Sequence, residues 1–508
     1  MLSPNIEKRL IDFAKAIKRQ PDFDFIQKVL KHDHQAEVFL VGGAVRDIIL
    51  DQEVIKDFDF VIRGLELADL QELLCRLGII DLVGKNFGVI KFKPFDGIFK
   101  IPFDIALPRS EHALMSGGYR DFNIQSNPQL AIEDDLSRRD FTINALAWDF
   151  KNQKLVDPYG GVNDLGHKII RTVGEPLQRF KEDYSRMLRA IRLACQLDFQ
   201  INETTWQVVK KNIKNINNEK DGELVVPRET VGSEFLKAFY HNPTRALDLF
   251  EESGFLKELV PELLAMQGCP QPKNWHSEGD VWAHTCLALK KLKSPEFIQQ
   301  FGKEHPSANL TIALLLHDLG KPATIQTPEK DGSDRLRFNE HDLIGAQIAE
   351  TVCQRLKLNS VPDFDFDQDQ VFWLIKNHMI AVQGNIDKMK NSTIEKYFFS
   401  QRHPSQDLLK LTFADVCATI PEKGEVPLGN FRAILYRMEQ IKKLGRDHAG
   451  PPAQLINGNQ IMKLLDLAPG QLVGQVLSAV REEQLRGRIR NEREAKKFVK
   501  GLNLNQLP

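Results

Sequence analysis

The sequence predicts an α+β fold in which a sheet occupies the first third of the chain and helices make up the rest. Short apolar runs of strand-like composition cluster early: Glu37–Val41 (EVFLV), Phe58–Ile62, Val89–Phe92 (VIKF), Phe103–Ala106 (FDIA) and Ala145–Trp148 (ALAW). From Lys168 onward such runs nearly vanish, and apolar residues recur at helical spacing with charges between them. Length is the third observation. At 508 residues the chain exceeds what one core serves, and roughly three domains or more are expected.

The chain opens MLSPNIEKRLIDFAKAIKRQ, an amphipathic helix with charges throughout and not a signal peptide's apolar run. Glu37–Val41 then leads straight into the pair Gly42-Gly43, which looks like a helix start. The mixed region closes near the turn cluster Asp157-Pro158-Tyr159-Gly160-Gly161, so residues 1–165 are expected to form the N-terminal helix and the sheet domain. Residues 166–267 read as a helical neck, with arginines interleaved among the apolar positions of Arg179–Leu197. Gly268–Lys273 (GCPQPK) is the expected linker to a histidine-rich helical block over 274–420. A second break, PEKGEVP at 421–427, leads to a tail over 428–508 in which Lys and Arg outnumber Asp and Glu. Within it, Leu455–Val499 reads as two or three helices with basic residues clustered after Arg481, a surface able to track phosphates without reading sequence.

Hydrophobic residues make up 42% and charged residues 27%, ordinary for a soluble globular protein. The formal net charge of −1 gives no global attraction to nucleic acid, so any RNA site must be a local basic surface. The six cysteines (Cys75, Cys195, Cys269, Cys286, Cys353 and Cys417) form no CxxC pair. That argues against a zinc knuckle or disulfide framework and suits a reducing compartment. No stretch is long and apolar enough to cross a bilayer, and a soluble, cytoplasmic protein is expected.

The stretch Val41–Phe60 reads VGGAVRDIILDQEVIKDFDF. Side chains alternate across a strand, so Asp57 and Asp59 share one face while Phe58 and Phe60 share the other. Two carboxylates on one face repel unless a cation sits between them, and Mg²⁺ is a hard cation that prefers oxygen. A solvated face is the bland alternative for such a pair. Asp104 lies in another apolar run, Ile101–Leu107, and could complete a two-ion site. Gly42 and Gly43 leave bare backbone N–H groups near a helix start, where phosphates bind. Arg138-Arg139-Asp140-Phe141-Thr142-Ile143-Asn144-Ala145 adds paired arginines suited to triphosphate oxygens. Asp140 can accept from ribose hydroxyls, and Asn144 offers an amide to the sugar or base. Read alone, the same residues are an N-capped helix start with surface charges.

GGAVRD followed by DFDF, then RRDFTINALA, DPYGG and EDYSRMLRAIRLACQLDF, stand in the order and spacing of class II tRNA nucleotidyltransferases and bacterial poly(A) polymerases. Over Phe39–Phe199 the chain resembles that family. The resemblance implies a polymerase-β-type palm with Asp57 and Asp59 as Mg²⁺ ligands, Arg46 near the triphosphate and Asp140 discriminating ribose from deoxyribose. It also implies that Glu182, Asp183 and Arg186 select the incoming base. Asp183 and Arg186 are expected on one face of a single helix, where an i,i+3 salt bridge is the alternative reading; Arg189 and Arg192 continue that arginine-rich face. One departure stands out: Leu50-Asp51 replaces the family's usual Leu-Gly, so Asp51 is expected to take a left-handed helix cap.

His317-Asp318 follows the apolar run Ala313–Leu316 and precedes Gly320-Lys321-Pro322; an adjacent His-Asp can hold one ion from two directions. His284 lies upstream, and His341, His378 and Asp415 lie downstream, in a chain with only 13 histidines. HSEGDVWAHT together with LLLHDLGKP resembles the HD phosphohydrolase superfamily. The resemblance implies His284, His317, Asp318 and Asp415 as ligands of a divalent transition metal or Mg²⁺, with His341 and His378 holding a second ion or contacting phosphate. It implies a phosphatase or phosphodiesterase acting on nucleotide 2′,3′-phosphates.

The two resemblances together imply addition of C and A to the 3′ end of tRNA from CTP and ATP, with pyrophosphate leaving, plus HD hydrolysis. A poly(A) polymerase or a CC- or A-adding enzyme shares the palm motifs. An HD phosphohydrolase whose palm only binds RNA is an alternative of another class. Oligomeric state is not legible in the sequence.

Overall fold

The computed structural model describes residues 4–52, 57–83, 89–99, 102–113, 117–118, 122–361, 364–382, 386–445 and 448–504. Residues 53–56 of the DFDF stretch and Ile101 lie outside them. The chain forms two compact units, Met1–Glu258 and Leu259–Pro508.

The first unit is built on a sheet of seven strands. In chain order the strands are β1 (Glu37–Val41), β2 (Asp59–Arg63), β3 (Gly78–Val83), β4 (Val89–Pro94), β5 (Phe103–Ala106), β6 (Arg109–Ala113), β7 (Phe122–Ser126), β8 (Ala147–Asp149) and β9 (Lys154–Val156). The sheet order is β3-β4-β5-β2-β1-β8-β9, and β6 and β7 form a separate hairpin. The β2–β5 pair is parallel; the other pairings in the sheet are antiparallel. The run Ala145–Trp148 yields a strand two residues later than expected, because Thr142–Asn144 is a turn of 3₁₀ helix that Ala145 caps. Strands β3, β6, β7 and β9 gave no apolar alternation in the sequence; β3 is an edge strand whose Ile79 and Val83 are exposed.

Alternation on β2, β4 and β5 sends Phe60, Ile90, Phe92, Phe103 and Ile105 into the core. The helices Pro4–Ile17 and Asp24–His32 belong to this core through Leu10, Ile17, Phe25 and Val29. Phe60 meets Phe25 edge-on at 5.1 Å between ring centroids, and Phe23 meets Phe58 the same way at 5.2 Å. This aromatic cluster fixes the other face of the strand, which carries the acids. Phe60→Ala should therefore cost about 3–5 kcal/mol, read as a lower urea midpoint; an unchanged midpoint would contradict the role given to this cluster.

Asp51 takes the left-handed conformation (φ 61°), and Gln52 N–H donates to Asp47 O to close the helix Gly43–Ile49. Asp51 also pairs with Arg9 at 3.0 Å, while Arg9 donates to Ile49 O. The non-glycine cap thus ties the first helix to the end of the Gly43 helix. Beyond the sheet, Ser185–Leu197 packs against Arg228–His241 and Pro243–Glu252, with the rings of Phe235, Phe239, Phe250 and Phe255 clustered among themselves.

The second unit is helical. Ala308–Leu316 is buried along its whole length, and Val281–Lys291, Gln368–Asn377 and Ser405–Ala418 pack on it. His341–Arg355 packs in turn on Gln368–Asn377. The GCPQPK segment belongs to this unit: Gln271 is buried and accepts from Lys321 Nζ at 2.8 Å. The tail helices Gly458–Leu465, Gln471–Leu485 and Glu492–Lys500 share a small core of Ile461, Val476, Val480 and Val499. Glu482 caps the helix Asn391–Phe398 by accepting from the N–H groups of Asn391 and Ser392. Among the described residues no helix is long and apolar enough to cross a membrane.

Candidate active sites

In the first unit, parallel pairing sets Asp59 in register with Asp104, so both carboxylates leave the same face of neighbouring strands. Lys91, directly across from Asp104 on β4, donates to it at 3.0 Å. Burial, opposed by Arg139 and reinforced by Asp104 and Asp57, holds the Asp59 carboxyl above its ordinary value. Carboxylate oxygens crowded in this way are a donor set that a hard divalent cation satisfies. Gly42 has φ 75°, a conformation that favours glycine, and a Cβ built there would lie 2.6 Å from Arg139 Nη1. The bare glycine lets the Arg139 guanidinium reach the turn beside Asp59. Both members of the arginine pair are held by buried Asp135, Arg138 at 2.7 Å and Arg139 at 3.7 Å. Gly42→Ala should displace Arg139 and raise the nucleotide KM about tenfold, the equivalent of one charge-assisted hydrogen bond. Steady-state kinetics check this, and an unaltered KM would exclude Arg139 from nucleotide binding.

A polar chain runs behind this turn. Arg46 is buried and donates to Asn144 Oδ1 at 2.7 Å and to Asp47 at 2.8 Å. Asn144 Nδ2 donates to Asp140 Oδ1 at 3.2 Å, and Arg189 donates to Asp140 Oδ2 at 3.0 Å. Burial penalises the Asp140 charge, but Arg189 and Arg186 outweigh it and bring the carboxyl down to about 2. Asp140 Oδ1 also accepts from Phe141 N–H, which leaves Oδ2 as the oxygen with a lone pair to spare.

The expectation of a single helix carrying Glu182, Asp183 and Arg186 needs correction. One helix, Pro176–Glu182, ends at Asp183, whose backbone is extended (φ −154°, ψ 106°), and the next begins at Ser185. Asp183 Oδ1 accepts from Ser185 N–H at 2.8 Å, and this local bond competes with helix continuation. Arg186 pairs across the break with Glu182 at 2.6 Å, and Arg179 joins the same carboxylate at 2.9 Å. The i,i+3 pair of Asp183 and Arg186 is not formed. Arg189 and Arg192 are gathered by Glu234, at 3.8 and 2.6 Å.

In the second unit, six side chains expected as ligands converge. His284 Nε2 lies 2.9 Å from Asp415 Oδ1, and His317 Nε2 lies 3.7 Å from the same oxygen and 3.2 Å from Asp318 Oδ2. On the other side of Asp318, Oδ1 lies 3.6 Å from His341 Nε2 and 3.9 Å from His378 Nε2. The Nδ1 atoms of His317, His341 and His378 each face a backbone carbonyl, of Leu314, Phe338 and Ile375. A carbonyl only accepts, so each Nδ1 carries a proton; His341 and His378 then turn Nε2 lone pairs inward, while His317 Nε2 carries a proton toward Asp318 and Asp415. His341 and His378 thus bring two lone pairs within 3.3 Å, which a cation would reconcile. Burial, with His317 and His341 nearby, brings His378 down to about 4 and keeps it neutral. Burial also works against a charged His317, yet Asp318 and Asp415 push it up to about 10, so a cation taken there displaces a proton. His317 Nε2 makes no well-formed hydrogen bond among the described residues. Imidazoles and carboxylates at this spacing fit a divalent metal.

The family model described as the Poly A polymerase head domain matches residues 38–171, and that of the HD domain matches residues 288–420. An A-adding tRNA nucleotidyltransferase of Deinococcus radiodurans is 32% identical over 373 residues, which cover 72% of this chain and 79% of that protein. The chain belongs to the tRNA nucleotidyltransferase and poly(A) polymerase family. A multifunctional CCA protein of Neisseria meningitidis is 36% identical over 323 residues, covering 63% of this chain and 68% of that protein. The fold is shared with a Bacillus stearothermophilus CCA-adding enzyme in complex with CTP, at a TM-score of 0.61 and 21% identity over 94% of this chain and 95% of that one. It is shared also with a Thermotoga maritima CCA-adding enzyme complexed with tRNA, at a TM-score of 0.55 and 19% identity over 98% and 95%.

Four supporting residues, three in the first unit and one in the second, escaped the sequence reading. Asp135 holds both arginines, Lys91 faces Asp104, Glu234 gathers Arg189 and Arg192, and Glu278 contacts His284. Only Glu278 left a trace, inside the HSEGDVWAHT motif. Burial opposes the Glu278 charge, but hydrogen bonds from His276, His284 and Ile420 bring it down to about 2.

Proposed function

We propose that this chain adds C and A to the 3′ end of tRNA without a template, using CTP and ATP and releasing pyrophosphate. The observation that carries the reading is the register of Asp59 with Asp104, facing Arg139 across the bare Gly42 turn. Asp57, Asp59 and Asp104 would hold Mg²⁺, which supplies the charge that eases loss of the 3′-hydroxyl proton and departure of pyrophosphate. The chain's own residues do the rest. The Gly43 N–H, with Arg139 and Arg46, binds and orients the triphosphate; the Gly42 N–H, expected to be bare, is instead spent on Leu146 O at 3.1 Å. Asp140 accepts from a ribose hydroxyl through its remaining lone pair, while Asn144 and Arg189 hold it in place. Arg186, braced by Glu182, and Asp183, freed by the helix break, present a donor fork and an acceptor to the base edge.

In the second unit, His284, His317, Asp318 and Asp415 would hold one divalent metal, with His341 and His378 serving a second ion or a phosphate. The imidazole-rich donor set favours a transition metal over Mg²⁺, and the metal supplies Lewis acidity to a phosphoryl group. A nucleotide 2′,3′-phosphate is the proposed substrate. The cysteines form no disulfide among the described residues, in keeping with the proposed cytoplasmic location.

The A-adding relative favours a second reading, in which only the terminal A is added. Transcripts of tRNA ending before CCA, after C and after CC, supplied with CTP or ATP separately, separate the two. Full extension requires both nucleotides and stops at CCA. Extension of only the CC-ending transcript would establish the A-adding reading, and a long run of A residues would overturn both.

A further inference from the structure

We propose that Glu278 is a positioning residue of the HD centre, fixing the tautomer of His284 and holding the segments that bear His284 and Asp415 together. The proposal rests on the reading of this centre as a metal site. The Glu278 side chain is buried, and its two oxygens are divided between two parts of the chain. Oε1 lies 2.8 Å from His284 Nδ1 and 2.7 Å from His276 Nδ1. Oε2 accepts from Ile420 N–H at 2.9 Å, just past the helix Ser405–Ala418 that carries Asp415. Ser277 doubles this strap, its N–H and its hydroxyl both donating to Ile420 O at 2.8 Å.

A carboxylate only accepts, so His284 Nδ1 carries a proton toward Glu278; Asp415 Oδ1 likewise accepts from Nε2 at 2.9 Å, and Nε2 is the nitrogen left to ligate when a cation takes the place of the proton between them. His317, His341 and His378 obtain the same orientation from backbone carbonyls. Among these four rings, His284 takes it from a side chain. A charged acceptor raises the basicity of the ligating nitrogen more than a carbonyl does. It is also the one orienting group of the four that substitution can remove.

The test uses the full-length protein with Co²⁺ as probe, its affinity measured by competition with a chromophoric chelator. Glu278→Gln keeps the size but replaces one accepting oxygen with a donor, so one arm of the clamp fails. Co²⁺ binding should weaken about 10–100-fold, and kcat for 2′,3′-cyclic AMP hydrolysis should fall with KM little changed. Nucleotide addition, as a control for folding, should stay at the wild-type rate. Co²⁺ affinity equal to wild type in Glu278→Gln, with binding lost in His317→Ala, would overturn the proposal and leave the metal centre standing. Equal affinity in wild type and His317→Ala would instead remove the metal-centre reading, and this proposal with it. Should the variant misfold, ¹H–¹⁵N correlation spectra of the Zn²⁺-loaded wild type decide: a proton on His284 Nδ1 is expected, and a proton on Nε2 refutes the assignment.

Discussion

Asp59→Asn is expected to lower nucleotide addition by about 10³-fold or more, the scale on which a group that stabilises transition-state charge acts. HD hydrolysis should persist in the same preparation. The substitution preserves shape, so the loss cannot be laid to packing. Its effect on stability should run the other way. Asp59 sits partly buried near Asp57 and Asp104, and its carboxyl is held above the ordinary value, so its charge is a cost to the folded state. The sign follows. A carboxyl with a raised folded value destabilises at pH above that value, and the cost disappears as pH falls through it toward the ordinary 3.8. In buffer with a chelator, Asp59→Asn should therefore unfold at an equal or higher urea midpoint at pH 7, with the advantage fading at pH 4. A lower midpoint at pH 7 would mean that the acidic face is structural and not a cation site. Asp57→Ala should likewise abolish addition and spare hydrolysis; loss of both activities would sink the two-site reading.

How much of this was legible follows from the range of each interaction. The alternation of Phe58, Asp59 and Phe60 is local, and Phe58 and Phe60 are buried as it expects, although the strand begins only at Asp59 and Asp57 precedes it. So was the cap at Asp51, whose positive φ follows from the end of an apolar helix and a residue that tolerates the left-handed region. The neighbour of Asp59 was not legible in the same way. Which strand lies beside β2 is decided by sheet order, and β5 takes that place with β4 and then β3 on its far side. The same holds for Lys91, Asp135 and Glu234, each an ordinary charged residue until the fold sets it beside a functional one. The helix break at Asp183 was missed for a different reason. Arg179–Leu197 carries helical spacing on both sides of the break, so periodicity conceals the local bond from Ser185 N–H to Asp183 that interrupts it. The residues of the motif are all present, but the geometry in which they would select a base differs from that of a single helix. Arg186 is braced by Glu182, and Asp183 stands free of it. In the second unit the histidines were found by their number and company. Their common Nδ1 proton was not, because backbone carbonyls accept it in three of the four and carbonyls leave no mark in a sequence.

The same chemical change at Asp318 should have the opposite effect on stability. Asp318 is buried among partners that favour its charge: Lys321 at 2.8 Å, His317 at 3.2 Å and His341 at 3.6 Å. Burial raises the carboxyl, but His317 and Lys321 overwhelm it and hold Asp318 well below the ordinary range. A carboxyl lowered in this way stabilises the fold above its unfolded value and loses that contribution as pH falls through the folded one. Asp318→Asn removes the contribution and leaves the Lys321 ammonium buried beside a neutral amide, a loss of about 3–5 kcal/mol for one partner of a buried pair. Hydrolysis should fall by about 10³-fold or more, because the group shared by His317, His341 and His378 is gone. Nucleotide addition should survive below the new melting temperature. Calorimetry and the two assays on Asp59→Asn and Asp318→Asn therefore give a crossed pattern: each variant loses one activity, and only the second loses stability. Asp59→Asn sits where carboxylates repel and Asp318→Asn where one carboxylate neutralises its surroundings, so equal stability in the two would show that the charges at Asp318 are not arranged as described. The contrast also bears on the metal. A divalent ion at the first site relieves repulsion among acids, whereas at the second it must displace a proton from His317 and compete with Lys321 for Asp318. Metal affinity at the HD centre should thus fall more steeply with falling pH than affinity at the palm.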